Sequence, residues 1–146
     1  MGVTQASIPG FSGEVVRPGD DEYDATRALL NAMHDRRPEL IARCRTAADV
    51  AAAIAYGRAR ALPIAVRCGG HSMPGHSVCD DGIVIDLRAM NLIRVDPVAR
   101  RATVAGGALL GEVDRATQAH GAWSCPPASY PTPAPPDSRS AAGSGG

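Results

Sequence analysis

The chain has 146 residues and a mass of 15.0 kDa, room for one domain and little more. An apolar content of 45% supports a packed core and argues against a wholly disordered chain, while 3% aromatics leaves few platforms for stacking single-stranded bases. Fifteen basic residues balance fifteen acidic ones, which removes the whole-chain electrostatic case for nucleic acid or an anionic membrane surface as partner.

All the basic residues are Arg, and Ala, Gly and Pro are abundant, as expected for translated GC-rich DNA. No apolar run approaches the roughly 20 residues needed to cross a bilayer. Residues 1–13 lack the basic and apolar regions of a signal peptide. Four cysteines (Cys44, Cys68, Cys79, Cys125) without an export signal read as reduced thiols, and the expected compartment is cytoplasmic.

In chain order, Asp20 and Asp21 open a predicted helix whose apolar side is Ala25, Leu29, Leu30 and Met33. Glu39 to Arg45 alternates like a strand. Thr46 caps the next helix, with Asp49 three residues on in the position of a capping box and Val50, Ile54 and the alanines in its apolar stripe. Pro63 to Arg67 and the GIVIDL run within Asp80 to Met90 read as strands. Ile93 to Asp96 and Arg101 to Ala105 bracket a turn at Pro97, the pattern of a hairpin. Leu109 to His120 is a last helix, with Leu110, Val113 and Thr117 on one face and Gly121 as terminator. Strand, helix and strand followed by strand-rich chain is α+β or α/β. The expected organisation is an N-terminal segment with one helix over 1–36, a domain over 37–121 and a Pro/Ser/Gly-rich tail over 122–146. The tail holds six of the twelve prolines and no helical or strand period.

The segment richest in chemistry is RCGGHSMPGHS, Arg67 to Ser77. It combines a cation (Arg67), two glycines without Cβ (Gly69, Gly70), an imidazole in the turn (His71) and a second small turn at Pro74-Gly75. Backbone N–H groups of such a loop can approach the oxygens of a phosphate-bearing ligand. On spacing alone, a glycine-rich turn with a solvated His fits equally well.

The run RCGGHSMPGHSVCDDGIVIDLRAM resembles the signature R-x-G-G-H-S … D-G-G-I-V-I-D-L-x-x-M of FAD-linked oxidases. These carry the vanillyl-alcohol-oxidase, or PCMH-type, FAD-binding domain and include the berberine-bridge-enzyme-like oxidases. The resemblance extends upstream through RPGDDEYDATRALLNAMHDRRPELIARCRTAADV and downstream through IRVDPVARRATVAGGALLGEVDRATQAHG, covering residues 11–121. It implies an α+β fold: the N-terminal part of that domain, a small strand-helix subdomain followed by a strand-rich one, incomplete in this chain. It implies FAD as cofactor, with the pyrophosphate on the backbone of Gly69, Gly70, His71 and Ser72. His71 stands where many members bind the flavin covalently through its 8α-methyl carbon. Arg67, Gly75, His76 and Ser77 would complete the cofactor-binding set, although His76 departs from the apolar or aromatic residue common there and also reads as a surface His. The implied reaction is hydride transfer from a small organic substrate to flavin, then reoxidation, often by O₂. No nucleic-acid or membrane partner is expected.

Other readings of these residues exist. Cys68, His71, His76 and Cys79 form C-x₂-H-x₄-H-x₂-C, which gives a runner-up: a small non-enzymatic α/β module binding Zn²⁺ or a nucleotide. The gap between ligand pairs is short for a zinc finger, and no metal is expected. Asp80-Asp81 and Glu112-Asp114 read as turn and helix-surface residues, and Gly106-Gly107 as a turn.

The resemblance stops at residue 121, where the family continues into a second glycine-rich run. Read one base out of phase, the tail's codons permit LVVPAGIVSHTGAAGLTLGGGFG, which follows that run. The chain is therefore expected to join an FAD-binding segment to an out-of-frame tail and to have little or no activity alone. Cys125 is then no second flavin ligand, and the Val-Ser pair of the hidden frame implies a parent linked to flavin through His71 only.

Overall fold

The computed structural model describes residues 7–121. The tail, with Cys125, lies outside them. Among the described residues a four-stranded sheet has the order β1-β2-β4-β3, built from β1 (Glu14–Val16), β2 (Leu40–Arg43), β3 (Ile64–Arg67) and β4 (Ile83–Asp86). β1 runs antiparallel to β2, whereas β2 and β3 both run parallel to β4. A separate antiparallel pair, β5 (Ile93–Asp96) and β6 (Arg101–Val104), forms the hairpin expected around Pro97. The helices are α1 (Tyr23–Arg27), α2 (Ala47–Ala59) and α3 (Leu110–Gln118). The fold is the expected α+β arrangement: a strand-helix unit followed by a hairpin and helix.

The core lies on both faces of the sheet. Leu40, Ala42, Cys44, Ile83 and Ile85 pack with Ala53 and Tyr56 of α2 on one side. Val16, Ile41, Ala65 and Val84 pack with Tyr23, Leu29 and Val78 on the other. Every residue of β4 is buried because the strand is central and covered on both faces, so it reads as a continuous apolar run. Leu40, Ile41 and Ala42 of β2, the strand whose sequence alternates, are buried for the same reason.

Thr46 and Asp49 form the capping box that their spacing predicts, with the Asp49 N–H donating to Thr46 Oγ1 at 3.1 Å. Asp49 does more than cap. Its buried carboxylate accepts from Ser12 N–H (2.7 Å), Ser12 Oγ (2.8 Å) and the N–H groups of Arg45 and Thr46, tying the entry segment to α2. α2 meets the sheet through Ala53, Tyr56 and Gly57, with Val50 and Ala52 packed against the same cluster, while Ile54 of the expected stripe is exposed. The bare Gly57 lets the helix approach closely, since a Cβ there would lie 2.9 Å from Ile83 Cγ2. The first helix is shorter than its apolar spacing predicts. It ends at Arg27, Ala28 turns to extended backbone (ψ 134°), and Leu30 and Met33 are exposed. Of the predicted stripe only Leu29 is buried, beside Tyr23 and Thr26. α3 follows its prediction, with Val113 and Thr117 buried, but Leu110 is half exposed.

Candidate functional site: the glycine loop at the carboxyl end of the sheet

The parallel strands end together. Arg43 of β2 and Arg67 of β3 both stand in register with Asp86 of β4. Ligands of open α/β sheets gather beyond such carboxyl ends, and the Arg67–Ser77 segment starts there. The Leu87 N–H donates to the Arg67 carbonyl at 2.8 Å and fixes its first residue. Gly70 (φ +70°) and Gly75 (φ +76°) lie in the left-handed region, which is why the loop needs glycine at both points. Between them the Gly75 N–H donates to the Ser72 carbonyl, and the His76 N–H to Ser72 Oγ, each at 3.1 Å.

Four consecutive amides are left over. Among the described residues, the N–H groups of Gly69, Gly70, His71 and Ser72 donate to no carbonyl of the chain. Unspent donors on a glycine turn are suited to anionic oxygens. The exposed His71 ring lies over Gly69, where a Cβ would come within 2.7 Å of His71 Cδ2. His71 opens into a cleft of about 300 Å³ lined by Leu30, Asn31, Gly70, Ser72 and Met73. Its volume is at the lower end of small-ligand sites. The residues present thus fit a diphosphate on the loop with a planar group beside His71. Ser77 is buried behind the loop and His76 is exposed.

Arg67 is buried, and its guanidinium donates to the carbonyls of Thr26 and Ala28, the latter at 2.6 Å. These are carbonyls at the end of α1, which have no acceptor role within the helix. Burial lowers the pKa of Arg67, and its buried Nε has no partner among the described residues.

The four zinc-ligand candidates do not come together. Cys68 Sγ is near the Ala108 carbonyl beyond the end of β3, whereas Cys79 Sγ is near the Pro63 carbonyl before its start. Among the described residues no three His, Cys, Asp or Glu side chains cluster for a metal. Cys44, Cys68 and Cys79 are free thiols, and burial raises Cys44 to about 11. Asp80 accepts from the Arg37 N–H (2.8 Å) and Glu112 from the Leu109 N–H (2.9 Å), the turn and helix-surface roles expected of them. Gly107 is pressed against the Leu87 carbonyl, leaving no room for a Cβ, and its N–H donates to the Met90 carbonyl at 2.9 Å.

A family model described as an FAD binding domain matches residues 38–133. The chain belongs to this FAD-binding family. It is 43% identical over 103 residues to (R)-6-hydroxynicotine oxidase of Paenarthrobacter nicotinovorans, which covers 70% of this chain and 22% of that protein. The crystal structure of 6-hydroxy-D-nicotine oxidase from Arthrobacter nicotinovorans superposes with a TM-score of 0.75 at 40% identity, over 76% of this chain and 24% of that one. The BBE-like 1 protein of Physcomitrella patens gives 0.71 at 26% identity, over 75% and 24%. The chain thus spans about a quarter of the length of these FAD-linked relatives.

Sequence reasoning missed the second wall of the cleft. Leu30 and Asn31 belong to the stretch after α1, where helical spacing concealed a loop. His34 also escaped notice, because its partner, the Met73 carbonyl at 2.8 Å, is 39 residues away.

Proposed function

We propose that this chain is the FAD-binding portion of an oxidoreductase that moves a hydride from a small organic substrate to flavin. The four unspent amides of Gly69 to Ser72 carry this reading: they would hold the pyrophosphate, with Gly75, His76 and Ser77 continuing the loop. His71, facing the cleft beside them, would carry the flavin covalently through its 8α-methyl carbon. Arg67 would support the same loop from behind. Bound flavin supplies a two-electron acceptor, and an imidazole link raises its potential toward poor donors such as alcohols or amines. Substrate contacts and the catalytic base would come from protein outside this sequence, so the chain alone turns over little or nothing. The tail past residue 121 is read as out of frame, against a family match that runs on to residue 133, and the nucleotide sequence across codons 121–122 decides between the two.

The test of the cofactor reading is flavin retention. Protein purified with FAD should be yellow, stay yellow after denaturation, and lose the retained colour in His71→Ala. Retention in His71→Ala refutes the covalent role, and a fully active flavoenzyme refutes the reading of an incomplete one.

A further inference from the structure

The cleft beside His71 has two walls, and they differ in how they are held. One is the glycine loop. The other is residues 28–34, a stretch outside any helix or strand. An asparagine turn keeps this stretch compact, the Met33 N–H donating to Asn31 Oδ1 (3.1 Å) and the His34 N–H to the Asn31 carbonyl (3.2 Å). Its links to the glycine loop lie at its ends. At the base Arg67 grips the Thr26 and Ala28 carbonyls, and the buried Leu29 packs against the bare Cα of Gly70, 3.4 Å from where a Cβ would stand. At the tip the His34 ring lies on the bare Cα of Gly75, where a Cβ would come within 2.6 Å of Cγ, and Nε2 bonds the Met73 carbonyl. Both left-handed glycines thus turn their open side to this stretch.

We propose that His34 and Arg67 are positioning residues: a two-point clamp that holds residues 28–34 against the glycine loop and fixes the width of the cleft in which His71 meets the flavin. The cleft role rests on the cofactor reading above; the clamp itself does not. The His34 bond needs its ring proton on Nε2, because the Met73 carbonyl can only accept. His34 acts through the walls and touches no reacting atom. Arg67 serves this clamp better than Lys could, since its two terminal nitrogens reach two carbonyls at once.

Hydrogen exchange followed by mass spectrometry, run on the full chain, tests the clamp. His34→Phe keeps an aromatic ring over Gly75 and removes the donor; His34→Gln restores a donor. Loss of one such bond should speed exchange of the hydrogen-bonded amides of the two walls, Met33 and His34 on one side and Gly75 and His76 on the other, about fivefold in His34→Phe. His34→Gln should return most of it, and amides of α2 and β4 should not change. Unchanged exchange in His34→Phe overturns the clamp, as does equal exchange in the two variants. A second readout is FAD taken up per chain, measured from flavin absorbance. Uptake that falls in His34→Phe and recovers in His34→Gln supports the cleft role; uptake unaffected by an opened clamp overturns it. Wild-type chain that takes up no FAD overturns the cofactor reading and the cleft role, while the exchange result still decides the clamp. Arg67→Lys, with one terminal nitrogen in place of two, should open residues 26–30 by a similar factor, and no change there overturns the base contact.

Discussion

Two adjacent glycines of the loop should respond to the same substitution in opposite ways. At Gly70 there is space for a methyl group, since a Cβ would meet Leu29 Cδ2 at 3.4 Å and Arg67 Nε at 3.7 Å. The obstacle is the backbone, at φ +70°. A left-handed L-residue costs about 1–2 kcal/mol. The restricted unfolded chain of Ala returns about 0.4–1 kcal/mol. Gly70→Ala should therefore destabilise by about 1 kcal/mol, a fall in Tm of about 3–5 °C for a domain of this size. Gly69 has no left-handed φ, and its Cβ would strike only the movable His71 ring and touch Leu109. Gly69→Ala should leave Tm unchanged or slightly higher, but swing His71 aside and lower the fraction of flavin retained after denaturation. Far-ultraviolet circular dichroism melts and a denaturing flavin assay measure both. A lower Tm for Gly69→Ala than for Gly70→Ala refutes the reasoning, as does a Gly70→Ala melt equal to wild type.

Two further predictions concern the scaffold. Hydrogen bonds from Ser12, Arg45 and Thr46 hold the Asp49 carboxyl well below the usual carboxylate range. A depressed folded pKa stabilises above the unfolded value, about 3.9 for Asp, and this stabilisation fades as pH falls toward the folded one. Asp49→Asn should thus be less stable than wild type at pH 7, with the gap narrowing below about pH 4 in acid-titrated urea melts; a gap that widens there contradicts the assignment. Ile85 is 1% exposed in the central strand, so Ile85→Ala should cost about 2–5 kcal/mol in urea unfolding. Val66→Ala, on a 53% exposed edge position, should stay within about 0.5 kcal/mol, and similar losses at the two sites would contradict the core described above.

What could be read from the chain was local. Thr46 and Asp49 are three residues apart, so their reciprocal cap is written in the spacing, and the β5–β6 hairpin follows from one turn at Pro97. The loop and its His71 were legible because glycine and imidazole sit next to one another. The errors came from partners far along the chain. α1 was extended through Met33 because Leu29, Leu30 and Met33 have helical spacing. Arg67, some forty residues on, instead takes the Thr26 and Ala28 carbonyls, and the backbone turns extended at Ala28. β1 went unrecognised, since three residues show no period and only pairing with β2 defines it. On α2, Val50 and the alanines were read on the contact face, but Gly57 was not, because a residue without a side chain gives no apolar signal and its use shows only in the close approach to Ile83.

The strand order has a consequence for how the chain assembles. β2, α2 and β3 are consecutive, yet β2 and β3 never pair; the slot between them belongs to β4. A growing chain that has emerged only as far as Arg67 has an empty lane between β2 and β3, and the apolar surfaces of Ile41 and Ala65, which share a face, lack Val84 between them. The last strand to arrive is the keystone. Residues 68–82 must therefore carry the chain from the carboxyl end of β3 back to its start before β4 can slide in. The segment that presents the cofactor loop is the same one that must be threaded across before the sheet closes. Its length is set by assembly as well as by ligand, and shortening it to trim the loop would leave the central strand out of reach.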